Sequence, residues 1–90
     1  MLVARRYVIS GRVQGVGFRF FAEAAAAREG LHGWVQNLAD GRVEASVEGE
    51  VEAVERFERS IAHGPPAARV SGLEIDELVP THRQTGFSVR

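Results

Sequence analysis

Apolar and polar residues recur at different spacings along the chain, and each spacing predicts an element. Valine and alanine alternate with glutamate and serine over 42–48, which is typical of a strand with one buried and one solvated face. Apolar residues recur at helical spacing over 18–29 and 50–63, and Gly30 and Gly64 are placed to end these helices. The remaining apolar runs predict four further strands, at 5–13, 31–38, 70–78 and 86–90.

The predicted order is β-α-β-β-α-β followed by a short last strand. Two helices of this length can cover only one face of a four- or five-stranded antiparallel sheet. We therefore predict the α+β class and a ferredoxin-like α/β sandwich, formed by residues 1–90 as a single domain. The core should contain Trp34 and the phenylalanines, because large aromatic side chains dominate burial in small domains. Since this fold has many unrelated functions, the function has to be argued from a site.

The amino-acid composition says little about the fold, but it excludes several kinds of chemistry. The formal net charge is −1, there is no cysteine, and all eleven residues in the lysine and arginine total are arginine. These facts exclude a disulfide, a thiolate nucleophile and a lysine Schiff base. The histidines at 32, 63 and 82 lack the spacing of metal ligands, so we expect no metal site. With neither a membrane-length apolar run nor a signal peptide's apolar stretch, the sequence predicts a cytoplasmic protein without membrane contact.

The segment 11–19, GRVQGVGFR, carries the strongest chemical signal. A strand ends there in a glycine-rich turn, and Arg19 follows as a helical pattern begins. Glycines let successive N–H groups turn toward one anion, and the start of a helix adds partial positive charge. Arg19 adds a planar charged fork that matches two phosphate oxygens, whereas Arg12 is expected to point into solvent. The segment is therefore interpreted as a phosphate-binding loop.

Several familiar phosphate sites do not fit this segment. A Walker loop needs a lysine, a dinucleotide fingerprint needs glycine where Phe20 stands, and a cysteine phosphatase needs a thiolate. The two aspartates, Asp40 and Asp76, occupy positions that are expected to be exposed and do not form a pair. A phosphate held by main-chain amides and one arginine, with water as the nucleophile, is the chemistry that remains.

A water nucleophile needs a group to orient it, and Asn37 is a candidate. It is the only asparagine and ends a predicted strand before a tight turn at 39–41, from which it could approach the first loop. A carboxamide can accept a hydrogen bond from water through its oxygen and donate others through its nitrogen, without carrying charge. The alternative is that Asn37 only helps to form the turn, and spacing alone favours that alternative.

Both segments are similar to the signature motifs of the acylphosphatase family. GRVQGVGFR at 11–19 resembles the first motif, and GWVQN at 33–37 with DGRVE at 40–44 resembles the second. FSVR at 87–90 is also similar to the last strand of the family, so the resemblance runs from about Tyr7 to Arg90. Two long motifs in the right order are far more specific than a lone glycine pattern.

The resemblance implies hydrolysis of an acyl phosphate to a carboxylate and inorganic phosphate, without metal or cofactor. It implies that Arg19 binds the phosphoryl group and that Asn37 orients the attacking water. The main-chain amides implied in phosphate binding are those of Gln14, Gly15, Val16, Gly17, Phe18 and Arg19. Two positions depart from the family pattern, because Gly17 replaces a bulkier residue and Leu38 replaces a hydroxyl residue. Leu38 therefore removes a possible helper of Asn37.

Two other functions remain as alternatives. Residues 15–21 faintly resemble a stretch of the RNA-recognition motif, but that stretch lies on a strand, and the net charge of −1 gives no basic surface. Acylphosphatase-like domains also begin larger hydrogenase-maturation carbamoyltransferases, where they act as accessory modules. Because this chain ends with the domain, we expect a free-standing monomeric enzyme with a small-molecule acyl phosphate as partner and no nucleic acid. The sequence leaves the physiological acyl phosphate open.

Overall fold

The computed structural model describes residues 1–82 and 85–90, and its elements follow the predicted order. Several strand and helix ends differ from the prediction by one to three residues, and the first strand begins earlier, at Leu2. The elements are β1 (Leu2–Arg12), α1 (Phe18–Arg28), β2 (His32–Asn37), β3 (Val43–Glu50), α2 (Val51–His63), β4 (Arg69–Leu78) and β5 (Phe87–Val89).

The strands form one sheet in the order β4-β1-β3-β2-β5. The first four strands pair antiparallel, as predicted, whereas β5 pairs parallel with β2 through Gly33–Phe87 and Val35–Val89. The sheet is therefore mixed, with β4 at one edge and the parallel strand β5 at the other. This arrangement is the predicted ferredoxin-like α+β fold with a parallel fifth strand.

The helices cover one face of the sheet, and the core lies between them. The largest fully buried side chains are Tyr7, Phe18, Phe57, Ile9, Ile61, Val13, Val35, Val43, Val47 and Val54. The Tyr7 hydroxyl donates a hydrogen bond to Glu58 on α2 at 3.0 Å, so its polar atom is satisfied within the fold. Burial, together with this carboxylate, raises the pKa of Tyr7 above its ordinary value. Tyr7 on β1 thus holds α2 against the sheet, both by packing in the core and through its hydrogen bond to Glu58.

The prediction that one face of β3 is exposed to solvent is wrong. Glu44, Ser46 and Glu48 alternate with core residues as expected, but they are only 9%, 8% and 8% exposed. Glu44 is covered by neighbouring strands, since Arg6 on β1 pairs with it and Gln36 on β2 donates to it at 2.7 Å. Glu48 instead accepts the main-chain N–H groups of Thr81 and His82. The alternation therefore predicted correctly which residues share each face of β3. It did not predict that other groups would bury the polar face.

The prediction that all large aromatic residues lie in the core is only partly correct. Phe18 and Phe57 are buried, and Trp34 is half-buried, but Phe20 is 67% exposed. At 3.6 residues per turn Phe20 points to the side of α1 opposite Phe18, which faces the sheet. This outward position matters because Phe20 lies beside the site described next.

Candidate active site

The loop between β1 and α1 is built around two left-handed glycines. Gly15 has φ of 73° and Gly17 has φ of 78°, values that residues with a side chain rarely adopt. Gly17 caps α1, and its carbonyl accepts the Phe21 N–H at 3.0 Å. The earlier N–H groups of the first helical turn have no partner within the helix, so they are free to bind a ligand. The loop therefore combines a turn of the main chain with the positive end of a helix.

A pocket of about 150 Å³ lies at this loop. Arg19 and Asn37 both line it, so the structure brings the two candidate residues from different motifs to one cavity. The pocket is lined by Val13, Gly15, Gly17, Phe18, Arg19, Phe20 and Asn37. Of the six residues predicted to bind phosphate through their amides, four therefore line the cavity, whereas Gln14 and Val16 do not.

Gln14 instead uses its side chain to hold the loop against the turn that follows β2. Its Nε2 donates to the carbonyl oxygens of Leu38 at 2.8 Å and of Arg42 at 3.0 Å. The same turn closes on itself, because the Leu38 N–H donates to the Arg42 carbonyl at 2.8 Å. Asn37 is the last residue of β2 and pairs with Val43, directly before this turn. Gln14 thus links the two motifs, a role that the sequence did not reveal.

The turn itself follows the prediction. Gly41 has φ of 96°, and Asp40 accepts the Arg42 N–H through Oδ1 at 3.1 Å. This main-chain N–H, together with the Arg42 guanidinium, lowers the pKa of Asp40 below its ordinary value. Both Asp40 and Asp76 are exposed, as expected. Because the Asp40 carboxylate is used within the turn, Asn37 does not have to serve as the turn's acceptor.

Arg19 is held from the far side by the end of the chain. Its Nη1 donates to the main-chain oxygen of Arg90 at 2.6 Å, and the Arg90 N–H donates to the Val35 carbonyl at 2.8 Å. The Arg90 guanidinium lies over the Trp34 ring at 4.3 Å from its centroid, a cation–π contact. A guanidinium has five N–H donors, so this one bond leaves others to face the pocket. The Arg19–Arg90 contact was not predicted, because the two residues meet only in the folded chain.

The remaining candidates take no part in this pocket. Arg12 is exposed, as expected, and residues 15–21 lie in the loop and the first turn of α1 rather than on a strand, unlike the RNA-binding stretch they resemble. His32 accepts the Gly86 N–H through Nδ1 at 2.7 Å. Within residues 1–82 and 85–90, no three His, Asp or Glu side chains cluster in a way that could hold a metal ion. No helix in the same part of the chain has the length and apolar character needed to span a bilayer.

Known proteins match this chain over nearly its full length. The sequence pattern of the acylphosphatase family matches residues 5–89. An acylphosphatase of Anaeromyxobacter dehalogenans is 51% identical over 88 residues, which is 98% of this chain and 95% of that protein. The crystal structure of an acylphosphatase from Bacillus subtilis superposes with a TM-score of 0.94 at 38% identity, covering 100% of this chain and 99% of that one.

A larger protein contains a similar unit. The structure of full-length HypF in a phosphate- and nucleotide-bound form superposes with a TM-score of 0.86 at 31% identity. All of this chain is covered, but only 12% of that protein. The likeness to HypF therefore concerns one module of a much longer chain, whereas the two acylphosphatases match from end to end.

Proposed function

Because the chain belongs to the acylphosphatase family, we propose that it hydrolyses acyl phosphates in the pocket between the β1–α1 loop and the β2–β3 turn. The observation that carries this proposal is that Arg19 and Asn37, one from each motif, line the same small cavity at the start of a helix. The substrate is a small-molecule acyl phosphate, and the products are a carboxylate and inorganic phosphate.

In the proposed mechanism the phosphoryl group sits against the loop. N–H groups of the 14–19 loop, chiefly those of the lining residues Gly15, Gly17, Phe18 and Arg19, bind its oxygens together with the free donors of the Arg19 side chain. The same donors stabilise the charge that develops on the equatorial oxygens during transfer. The helix N-terminus adds to the same potential. Because these donors are already fixed by Gly15, Gly17 and the Arg90 contact, they need little rearrangement when the substrate binds.

Asn37 is proposed to orient the attacking water. Its carboxamide oxygen accepts a hydrogen bond from the water, and the water oxygen attacks phosphorus opposite the acyl oxygen. A bond from the water oxygen to phosphorus forms, and the bond from phosphorus to the acyl oxygen breaks with its electron pair. The carboxylate leaves as a stable anion, so no strong general acid is required, and the water's proton passes to phosphate or solvent. A metal or cofactor supplies no step of this scheme.

The sequence and the core also bear on domain organisation, oligomeric state and location. We propose that residues 1–90 work as one domain, as a monomer, in the cytoplasm and without nucleic acid. One shared core across both helices and the sheet supports the single domain. The lack of cysteine suits a reducing compartment, and the net charge of −1 offers no electrostatic attraction for a nucleic-acid backbone.

Arg19 variants test the proposed site most directly. In buffer that contains a metal chelator, wild-type protein should hydrolyse acetyl phosphate and be inhibited competitively by inorganic phosphate. Arg19→Ala should lower kcat/KM by roughly a hundredfold to a thousandfold, the usual effect of losing one aimed donor. Arg19→Lys should fail similarly, because a point charge cannot replace the planar fork.

Arg12→Ala is the matched control, because Arg12 lies in the same segment but is exposed and does not line the pocket. It should keep wild-type activity. Near-normal turnover by Arg19→Lys would contradict the bidentate role of Arg19, and activity that disappears with chelator would contradict the metal-free mechanism.

A further inference from the structure

A second, larger groove of about 550 Å³ adjoins the phosphate pocket. Phe20 lines both cavities, so the two meet at this residue. The groove continues from Phe20 along α1 through Ala24 and Ala27, three residues on one helical stripe roughly 10 Å long. Leu31 and Phe87 line it from the sheet side. A ligand that extends out of the phosphate pocket past Phe20 therefore enters this groove.

The surface of the groove is mainly apolar. Alanine at 24 and 27 leaves space where larger residues would fill it, while Phe20 offers a ring that is 67% exposed. An exposed large aromatic side chain beside a catalytic pocket gains contact area only when a ligand covers it. The groove is therefore suited to a flat or branched apolar group.

The charges along the groove narrow the choice of ligand further. Glu23 is the acidic residue of the lining and sits between Phe20 and Ala27 on α1. His32 also lines the groove, and its Nδ1 accepts the Gly86 N–H at 2.7 Å. Within the described part of the chain, none of the lining residues is arginine. Among the lining residues that the structure describes, an anionic group would face the Glu23 carboxylate and no arginine.

We propose that this groove binds the acyl group of the substrate, and that it selects neutral apolar acyl groups, such as aryl or branched aliphatic ones, over acyl groups with a second carboxylate. The inference rests on the proposed phosphoryl site, because the phosphate has to occupy the smaller pocket for the acyl group to pass Phe20. Contacts with the Phe20 ring and the alanine stripe also orient the leaving carboxylate opposite the attacking water. Phe20 is thus a specificity-determining residue, and Glu23 excludes anions.

The test compares kcat/KM for benzoyl phosphate, acetyl phosphate and succinyl phosphate. Wild-type protein should prefer benzoyl over acetyl phosphate by roughly tenfold or more, the scale at which an apolar pocket discriminates. Ala27→Phe fills the groove and should remove most of this preference, and Phe20→Ala should lower it by removing the side chain at which the two cavities meet. Ala62→Phe is the matched control, since Ala62 is exposed on α2 and does not line the groove; it should keep the wild-type preference.

A substitution of Glu23 tests the selection against anionic acyl groups. Glu23→Gln should raise kcat/KM for succinyl phosphate severalfold relative to acetyl phosphate, and the gain should shrink at high salt because exposed charges are screened. A benzoyl-to-acetyl ratio unchanged by both Ala27→Phe and Phe20→Ala would overturn the acyl-group assignment. An unchanged succinyl rate in Glu23→Gln would overturn the selection against anions.

The outcomes separate this inference from the proposed function. If wild-type protein fails to hydrolyse acetyl phosphate, or if inorganic phosphate does not inhibit it competitively, the phosphoryl site itself is wrong. If phosphate inhibition stays at its wild-type strength in Ala27→Phe while the acyl preference is lost, the groove alone has been altered. Folding of each variant is checked by its thermal unfolding, and Ala24→Phe replaces Ala27→Phe if the latter does not fold.

Discussion

Asn37 occupies a position that allows it to act on water rather than on the turn. It ends β2, pairs with Val43 in the ladder, and lines the pocket, while the adjacent turn takes its hydrogen bonds from Asp40, Leu38 and Arg42. Leu38 supplies its carbonyl to Gln14 and no polar side chain to Asn37. The orientation of the Asn37 carboxamide therefore depends on the main chain of the strand and the turn.

Replacement of Asn37 separates catalysis from binding. Asn37→Ala should lower kcat by roughly a hundredfold to a thousandfold, because a preorganised polar group next to the reacting atoms is lost. The inhibition constant of inorganic phosphate should stay near the wild-type value, since the loop amides and Arg19 hold the anion. Steady-state kinetics with phosphate as competitor measures both quantities. An equal weakening of phosphate binding would make Asn37 a ligand of the substrate instead.

At the scale of elements, the site depends on two connections that lie far apart in sequence. The β1–α1 loop carries the donors, the β2–β3 turn follows Asn37, and Gln14 bridges them through Leu38 and Arg42. Both carbonyls also accept main-chain N–H groups within the turn, so they keep a partner if Gln14 is removed. The bridge therefore contributes more to the relative position of the two elements than to overall stability.

Gln14→Met tests this bridge, because methionine keeps the length of the side chain but donates no hydrogen bond. The free energy of unfolding should fall by only about 0.5–1.5 kcal/mol, the net value of a typical hydrogen bond. kcat should fall roughly tenfold, since small displacements of Asn37 relative to the loop slow the reaction. Denaturant unfolding and steady-state kinetics measure the two effects.

Gln36→Met is the matched control for this substitution. Gln36 is also a carboxamide on β2, next to Asn37, but it donates to Glu44 on the polar face of the sheet rather than to the turn. It should change stability with little effect on kcat. Equal kcat losses in both variants would show that Gln14 acts through general stability and not through the position of the turn.

Local patterns predicted the elements well because their signals lie within a few residues. Helix α1 ends at Arg28, just before the predicted stop at Gly30, whose φ is 68°. The turn at 39–41 forms with the expected Asp40 acceptor. Interactions between distant residues were not predictable in the same way. The cover over Glu44 comes from Arg6, and Arg19 meets Arg90 across the length of the chain, so no spacing in the sequence encodes either contact.

At the scale of the whole molecule, the path from β4 to β5 is the feature that completes the site. These two strands lie at opposite edges of the sheet. Glu48, near the end of the central strand β3, accepts the N–H groups of Thr81 at 2.9 Å and His82 at 2.8 Å. Further along the chain, β5 leads to Arg90 and its contact with Arg19. Glu48 therefore anchors the segment that brings the chain end to the active site.

The pH dependence of stability tests this anchor. The Thr81 N–H, followed by the His82 N–H, lowers the pKa of Glu48 from its ordinary value of 4.5. A carboxyl group whose pKa is lower in the folded state stabilises the fold above its unfolded pKa, and this contribution is lost as pH falls through the folded value. Glu48→Gln should thus lower the free energy of unfolding by about 1–3 kcal/mol at neutral pH. The difference from wild type should shrink as pH drops below 4.5.

Glu77→Gln provides the comparison for Glu48→Gln, because Glu77 also pairs with a charged partner, Arg5, but its side chain is 62% exposed. Its free energy of unfolding should stay within about 0.5 kcal/mol of wild type, as for most surface substitutions. Chemical denaturation over a series of pH values measures both variants. Since loosening of this anchored segment also releases β5, Glu48→Gln should lower kcat as well, whereas Glu77→Gln should not. A pH-independent difference between Glu48→Gln and wild type would mean that the lost acceptor oxygen, and not the negative charge, accounts for the anchoring.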